Sequence, residues 1–176
     1  MRANLSPLTI IAAAVLLAAC NKASESGSTT LEKTSVSATP APAVPDPNLP
    51  EKKVEITGND QMKFDVMAIE ARPGQKVTVT LRNISTIPKI SMGHNFVLLE
   101  KDVDPPKFVE TSQTHMASDY IAPELLSKVL AHTKLLGPGE TDTISFAAPR
   151  TAGAYIYICS FPGHFAIGMK GTLTVQ

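Results

Sequence analysis

The chain has 176 residues, with Lys+Arg and Asp+Glu at 16 each and so no formal net charge before histidine titrates. That length supplies one domain with a substantial core rather than two. The charge balance gives no electrostatic basis for binding nucleic acid or a strongly acidic partner, and a composition without tryptophan but rich in proline leans towards strands joined by turns.

Arg2 opens a short basic start, and Leu8 to Ala19 forms an apolar run. Such a run is too short to span a bilayer as a helix, but it suits the hydrophobic part of a secretory signal. Residues 1–19 are therefore read as a leader. It ends Leu17-Ala18-Ala19-Cys20, which resembles a bacterial lipobox, and that resemblance implies that Cys20 is lipid-modified (palmitate among the acyl groups) and becomes the first mature residue. With Cys20 so used, Cys159 is the one cysteine left and no internal disulfide can form. An unpaired cysteine in an exported chain calls for a role, and metal ligation supplies one. Residues 20–50 read as the lipidated cysteine and a disordered tether: Ser24 to Ser28 is small and polar, and Thr39 to Pro45 is dense in proline. Too few large apolar side chains are present to offset the entropy of ordering it. At roughly 3 Å per residue, an extended stretch of about 30 residues reaches several tens of Å, enough for a globular head to search for partners beside a membrane.

Residues 51–176 alternate like an antiparallel β-protein. Val77, Val79 and Leu81 interleave with Thr78 and Thr80, the period of a half-buried strand. Asn95 to Leu99 and Ala154 to Ile158 are apolar strands. Ile144 and Phe146 alternate with Thr143 and Ser145, and Leu173 and Val175 with Thr172 and Thr174. Arg72-Pro73-Gly74, Gly137-Pro138-Gly139 and Pro162-Gly163 supply turns. Short strands at this spacing predict an all-β, two-sheet sandwich. One segment departs from the period: Tyr120, Ile121, Leu125, Leu126, Val129 and Leu130 recur at three and four residues. With Pro123 suited to a first turn, this predicts one short helical insertion over about 118–131.

The chemistry is concentrated near the end of the chain. Cys159 ends a strand, His164 follows after four residues, and Met169 after four more. A loop of that size brings a sulfur, an imidazole nitrogen and a thioether round one point. A fourth donor is offered by His94, at the start of an earlier strand. Two histidines, a thiolate and a weak axial methionine form the donor set of a mononuclear blue-copper site, one ion per chain cycling between Cu(II) and Cu(I). Taken singly, each residue has an ordinary structural reading, and it is their combination at strand ends that points to metal. His115 and His132 have no cysteine or carboxylate at ligand spacing and are read as surface or structural residues.

These residues stand in stretches that resemble the azurins, a family of cupredoxins: Ile56 to Met62, Pro88-Lys89 with Met92-Gly93-His94-Asn95, Ala131 to Leu135, Phe161 to His164, and Met169 to Thr174. The resemblance covers nearly the whole of 51–176 and implies a Greek-key β-sandwich. It further implies His94, Cys159 and His164 as strong ligands, Met169 as the distant axial one and a weak contact from the Gly93 carbonyl opposite. Asn95 would brace the ligand loops and help hydrogen-bond the sulfur, and Phe161 would lie beside the ligands. The loop between His164 and Met169 is one residue longer than the azurin pattern, through Gly168, and in this resembles the auracyanins. The usual azurin disulfide has no cysteines here, and Asn83 stands where azurins often carry a second histidine. The lipobox and the Ala/Pro tether add a similarity to lipid-modified azurins of Gram-negative bacteria.

The expected work is therefore one-electron transfer in the cell envelope, by a monomer anchored through its lipid to the outer membrane. Met92, Phe165 and Ile167, with Phe161, would form an apolar docking patch round His164 for redox proteins such as c-type cytochromes or terminal reductases and peroxidases. A copper chaperone or buffer is the alternative, and it would favour exposed, exchangeable ligands. A copper enzyme such as a nitrite reductase domain would need a second set of histidines, which the chain does not show.

Overall fold

In the computed structural model of the protein, the described residues are 44–176; the leader, Cys20 and the tether as far as residue 43 lie outside them. In chain order the strands are β1 (Lys52–Gly58), β2 (Ala68–Ala71), β3 (Lys76–Asn83), β4 (Val97–Leu99), β5 (Val129–His132), β6 (Thr141–Ala147), β7 (Gly153–Ile158) and β8 (Lys170–Val175). Single helical turns at α1 (Lys89–Met92) and α3 (His164–Ile167) and a longer helix α2 (Pro105–Ser112) interrupt them. None of the described helices is long and apolar enough to cross a membrane.

The strands form a three-stranded sheet in the order β1-β3-β6 and a five-stranded sheet in the order β2-β8-β7-β4-β5. One apolar core joins them. Ile56, Val77, Val79 and Leu81 from the first sheet meet Leu98, Tyr155, Tyr157, Leu173 and Val175 from the second. The alternation along β3 places Val77, Val79 and Leu81 inward, all without solvent exposure. Its outward threonines bond across to β6, with Thr78 to Ser145 at 2.7 Å and Thr80 to Thr143 at 2.9 Å.

Two features of the secondary structure differ from the sequence reading. The pairs β1–β3 and β2–β8 run parallel. Alternation reports which face of a strand is buried, not the direction of its neighbour. Because β2 joins the opposite sheet, the chain crosses over and returns beside β1 in the same direction.

The second difference is the expected helix at 118–131. Asp119 and Tyr120 take left-handed backbone angles, φ 55° and 58°, which end a short 3-10 turn at Met116–Ser118. A second 3-10 stretch runs Pro123–Lys128, and then Val129 to His132 become β5 by pairing with β4. The α-helix of this region is α2, opening with Pro105 and Pro106 in its first turn. Phe108 of α2 packs with Val97, Leu99, Ile121 and Ile158 in a second apolar cluster. This insertion covers the outer face of the five-stranded sheet, which is why β4 is buried on both sides. The backbone of 118–131 follows tertiary pairing, not its own three-to-four periodicity.

Residues 44–50, the end of the stretch read as tether, lie on the domain: Asp46 N–H donates to the Gly74 carbonyl at 2.8 Å and Gln75 Nε2 to that of Pro50 at 2.8 Å.

Tyr157 ties the core to the end that carries the ligand candidates. Its ring stacks on Phe96, centroids 4.9 Å apart, and its hydroxyl donates to the Val66 carbonyl at 2.7 Å. It lies directly over Gly171, where a Cβ would stand 2.2 Å from the ring. Gly171→Ala is therefore expected to force the tyrosine aside and destabilise the domain by about 3 kcal/mol, read as a lowered denaturant midpoint at unchanged slope.

Candidate metal centre

The site is built by two chain segments at one end of the sandwich. In the first, Cys159 directly follows β7, and its N–H donates to the Met169 carbonyl at 3.0 Å. The loop between them is closed again from inside, Met169 N–H donating to the His164 carbonyl at 3.0 Å. Gly163 and Gly168, φ 86° and 99°, flank α3 and turn the chain sharply enough for His164 to face back towards Cys159. In the second segment, His94 is locked by a reciprocal pair with Leu136, its N–H to the Leu136 carbonyl at 3.0 Å and the return bond at 2.8 Å.

Three of the four expected ligands are brought together with measured contacts. Cys159 Sγ lies 3.5 Å from His164 Nδ1 and 4.0 Å from His94 Nδ1, and the two imidazole nitrogens are 3.2 Å apart. All three donor atoms fall within 4.8 Å of one another, and all three residues are buried. The Gly93 carbonyl stands 3.9 Å from the sulfur. Met169 is fully buried in the same core cluster as Cys159, and its methyl group and the His94 ring converge on Gly58. A Cβ on that glycine would stand 2.9 Å from Met169 Cε and 2.8 Å from His94 Cδ2.

The surrounding groups orient the donors. His94 Nε2 lies 3.0 Å from the Asn59 carbonyl. A carbonyl only accepts, so Nε2 carries the proton and Nδ1 presents its lone pair to the site. Asn95 ties the two segments together, accepting from Ser160 N–H at 2.9 Å and donating to Ser160 Oγ at 2.9 Å and the Asp119 carbonyl at 2.8 Å. Its side chain thus works through Ser160, whereas the sulfur is approached by the backbone N–H groups of Asn95 and Phe161. Buried Asn83 donates to the Leu136 carbonyl at 2.8 Å and the Met92 carbonyl at 3.2 Å, on either side of His94.

The sequence reading did not assign these roles to Gly58, Asn59, Asn83 or Ser160. Asn59 acts through its backbone carbonyl, which leaves no side-chain signature, and Ser160 is a small residue in a loop.

The expected docking residues are not alike. Met92 and Phe161 are each buried at 8% exposure, and Phe161 packs in the core cluster instead of rimming the site. The Phe161 ring lies 4.6 Å from that of His164. Phe165 is half-buried beneath the Lys170 ammonium, 5.1 Å away, and Ile167 is 54% exposed. His164 is itself only 2% exposed. His115 and His132 lie outside the cluster, His132 on the exposed end of β5.

Burial dominates the electrostatics. It pushes the Cys159 thiol up to about 12, against the smaller opposing effect of the two backbone N–H groups. Burial also lowers His164 to about 4, with His94 beside it adding to the effect, and lowers His94 in turn. The histidines therefore stay neutral and available as ligands, while the thiolate needs a positive charge beside it. A soft sulfur and two borderline nitrogens in a dry, preformed space fit copper.

A family description, copper binding proteins of the plastocyanin/azurin family, matches residues 50–176. The chain belongs to this family. Within the plastocyanin/azurin family it is 39% identical over 129 residues to azurin of Pseudomonas aeruginosa, covering 72% of this chain and 99% of that one. To azurin of Bordetella pertussis it is 40% identical over 126 residues, 70% of this chain and 83% of the other. Among solved structures, auracyanin from Roseiflexus castenholzii matches with a TM-score of 0.63 at 34% identity, covering 71% and 97% of the two chains. Auracyanin A of Chloroflexus aurantiacus, described as a blue copper protein, matches with a TM-score of 0.64 at 28% identity, over 72% and 100%. The two-sheet architecture is that of the family's β-sandwich, and His94, Cys159 and His164 are its candidate copper site.

The shifts predict how the metal-free protein responds to pH. His164 is depressed from 6.5 to about 4, so the unfolded chain binds the extra proton and stability is lost as pH falls from 6.5 towards 4. Cys159 is raised from 9.0 to about 12, so stability is lost again as pH rises through that interval. Denaturant midpoints of the metal-free chain are expected to peak between about pH 6.5 and 9 and to fall on both sides.

Proposed function

We propose that this protein is a one-electron carrier of the cell envelope, with a blue-copper centre that His94, Cys159, His164 and Met169 would hold. The observation that carries the reading is the convergence of one thiol and two imidazole nitrogens in a buried space, with the proton of His94 already turned away from it. Bound there, copper supplies a Cu(II)/Cu(I) couple. The chain's own part is to hold the donors in one arrangement through both states. The Cys159–Met169 and Met169–His164 backbone bonds, the Leu136 pair and the Asn95–Ser160 bridge all resist movement of a ligand. Cys159 would give up its proton to take the metal, while the histidines, already neutral, would give up none. The Gly93 carbonyl faces the sulfur as a weak further contact.

The burial of every donor speaks for retention of the metal and against exchange with other carriers. His164 lies on the loop that also carries exposed Ile167, and its Nε2 has no hydrogen-bond partner among the described residues, the edge best suited to electron exit. Ile167 and the visible part of Phe165 form the docking surface for redox proteins such as c-type cytochromes or terminal reductases and peroxidases. Lipid on Cys20 and a tether ending before the docked residues 44–50 would hold the monomeric head at the outer membrane of a Gram-negative bacterium, in the periplasm or at the surface.

Visible absorption and electron paramagnetic resonance of the copper-loaded chain test this. An intense thiolate-to-copper band is expected, absent from Cys159→Ser, whose copper affinity should fall by more than about a hundredfold. A colourless copper-treated protein with a freely titratable thiol would exclude the site. Ile167→Asn is expected to slow electron exchange with a c-type cytochrome by about tenfold at an unchanged spectrum; unaltered rates would remove Ile167 from the docking surface.

A further inference from the structure

In the loop carrying His164 and Met169, the Ile167 carbonyl is not taken by the amides that follow it. Gly168 N–H turns back to the Phe165 carbonyl at 2.9 Å and Met169 N–H to that of His164 at 3.0 Å, so neither reaches the carbonyl of Ile167 at the end of α3. The Lys63 ammonium does. It arrives from the connection between β1 and β2, 104 residues away in sequence, and donates to Ile167 O. The last carbonyls of a helical turn need partners, and a lysine ammonium is a favourable one. The same ammonium covers Gly168: a Cβ built on that residue would meet Lys63 Nζ at 2.8 Å and nothing else within 4 Å.

Lys63 is held at its other end as well. Its N–H donates to Asn59 Oδ1 at 3.2 Å, and Asn59 is the residue whose carbonyl fixes the proton of His94. Gly58, next in line, packs on both His94 and Met169. Residues 58–63 thus form a strap that touches both segments of the site. Asn59 holds the His94 side, and Lys63 holds the loop on the opposite side, one residue before Gly168 and two before Met169.

We propose that Lys63 is a positioning residue for the metal centre, latching the Ile167 carbonyl so that Met169 keeps a set place relative to His94 and Cys159. The role rests on the copper reading, but the latch itself is present without metal and is measurable without it. Removing the donor frees the turn at Gly168, and the position of Met169 then spreads while the Cys159–His94–His164 cluster stays intact.

The test compares the full chain with Lys63→Leu, which removes the donor, and Lys63→Arg, which restores one. In metal-free protein, amide hydrogen exchange at Gly168 and Met169 should quicken about tenfold in Lys63→Leu and return towards the original in Lys63→Arg. Amides of β3 serve as the control for global stability and should not change. In copper-loaded protein, the copper hyperfine splitting and the relative band intensities, which respond to the axial contact, should change in Lys63→Leu and recover in Lys63→Arg. Unchanged spectra in Lys63→Leu overturn the proposal, and so does an arginine variant that restores nothing. A chain that takes up no copper instead overturns the metal reading, and the exchange comparison then decides the latch alone.

Discussion

Everything at the working end of this molecule depends on a thiol buried between two imidazoles where none of the three can hold charge comfortably. Burial drives Cys159 towards its neutral form and makes both histidines harder to protonate. Without a cation, the thiol stays protonated. With one, the thiolate gains the partner that the protein withholds, and the two neutral nitrogens are already aimed at the same point. Selectivity for a soft, small cation follows from donor type and enclosure, not from surface charge.

Such a cluster persists only if the chain around it is held independently of the metal. The sandwich meets this by closing each ligand-bearing segment on itself before joining the two. Backbone bonds at Cys159, Met169 and His164 close the C-terminal loop, and the Leu136 pair closes the His94 side. Asn95 and Asn83 then act as internal braces, with every polar atom of their amides spent on backbone groups or Ser160. Buried amides without such partners would cost more than they contribute. The apolar insertion from α2 to the start of β5 serves the same end from a distance: it makes β4 a fully enclosed strand and so steadies the segment that enters it from His94.

Much of this was legible in the chain itself. The alternation of β3, β6 and β8 identified their buried faces, since a side chain's side of a sheet follows from its position along the strand alone. The spacing of Cys159, His164 and Met169 marked a candidate ligand loop, because short loops confine their residues to a small volume whatever the rest of the protein does. The segment 118–131 misled for the converse reason. Its helical period was real, but pairing with β4 and the left-handed backbone at Asp119 and Tyr120 decided its conformation.

By itself, then, the sequence pointed to His94, Cys159 and His164 as candidate donors and determined most sheet-forming segments and their inward faces, all of them properties carried by residue type and local spacing. Only the tertiary structure decided which strands run parallel, that Met92 and Phe161 face inward, and that the Asn59 carbonyl and Asn83 amide support His94. Strand direction and the bonds of Asn59 and Asn83 join residues apart in the chain through at least one backbone atom each, and backbone atoms, which every residue possesses alike, leave no mark in the order of side chains.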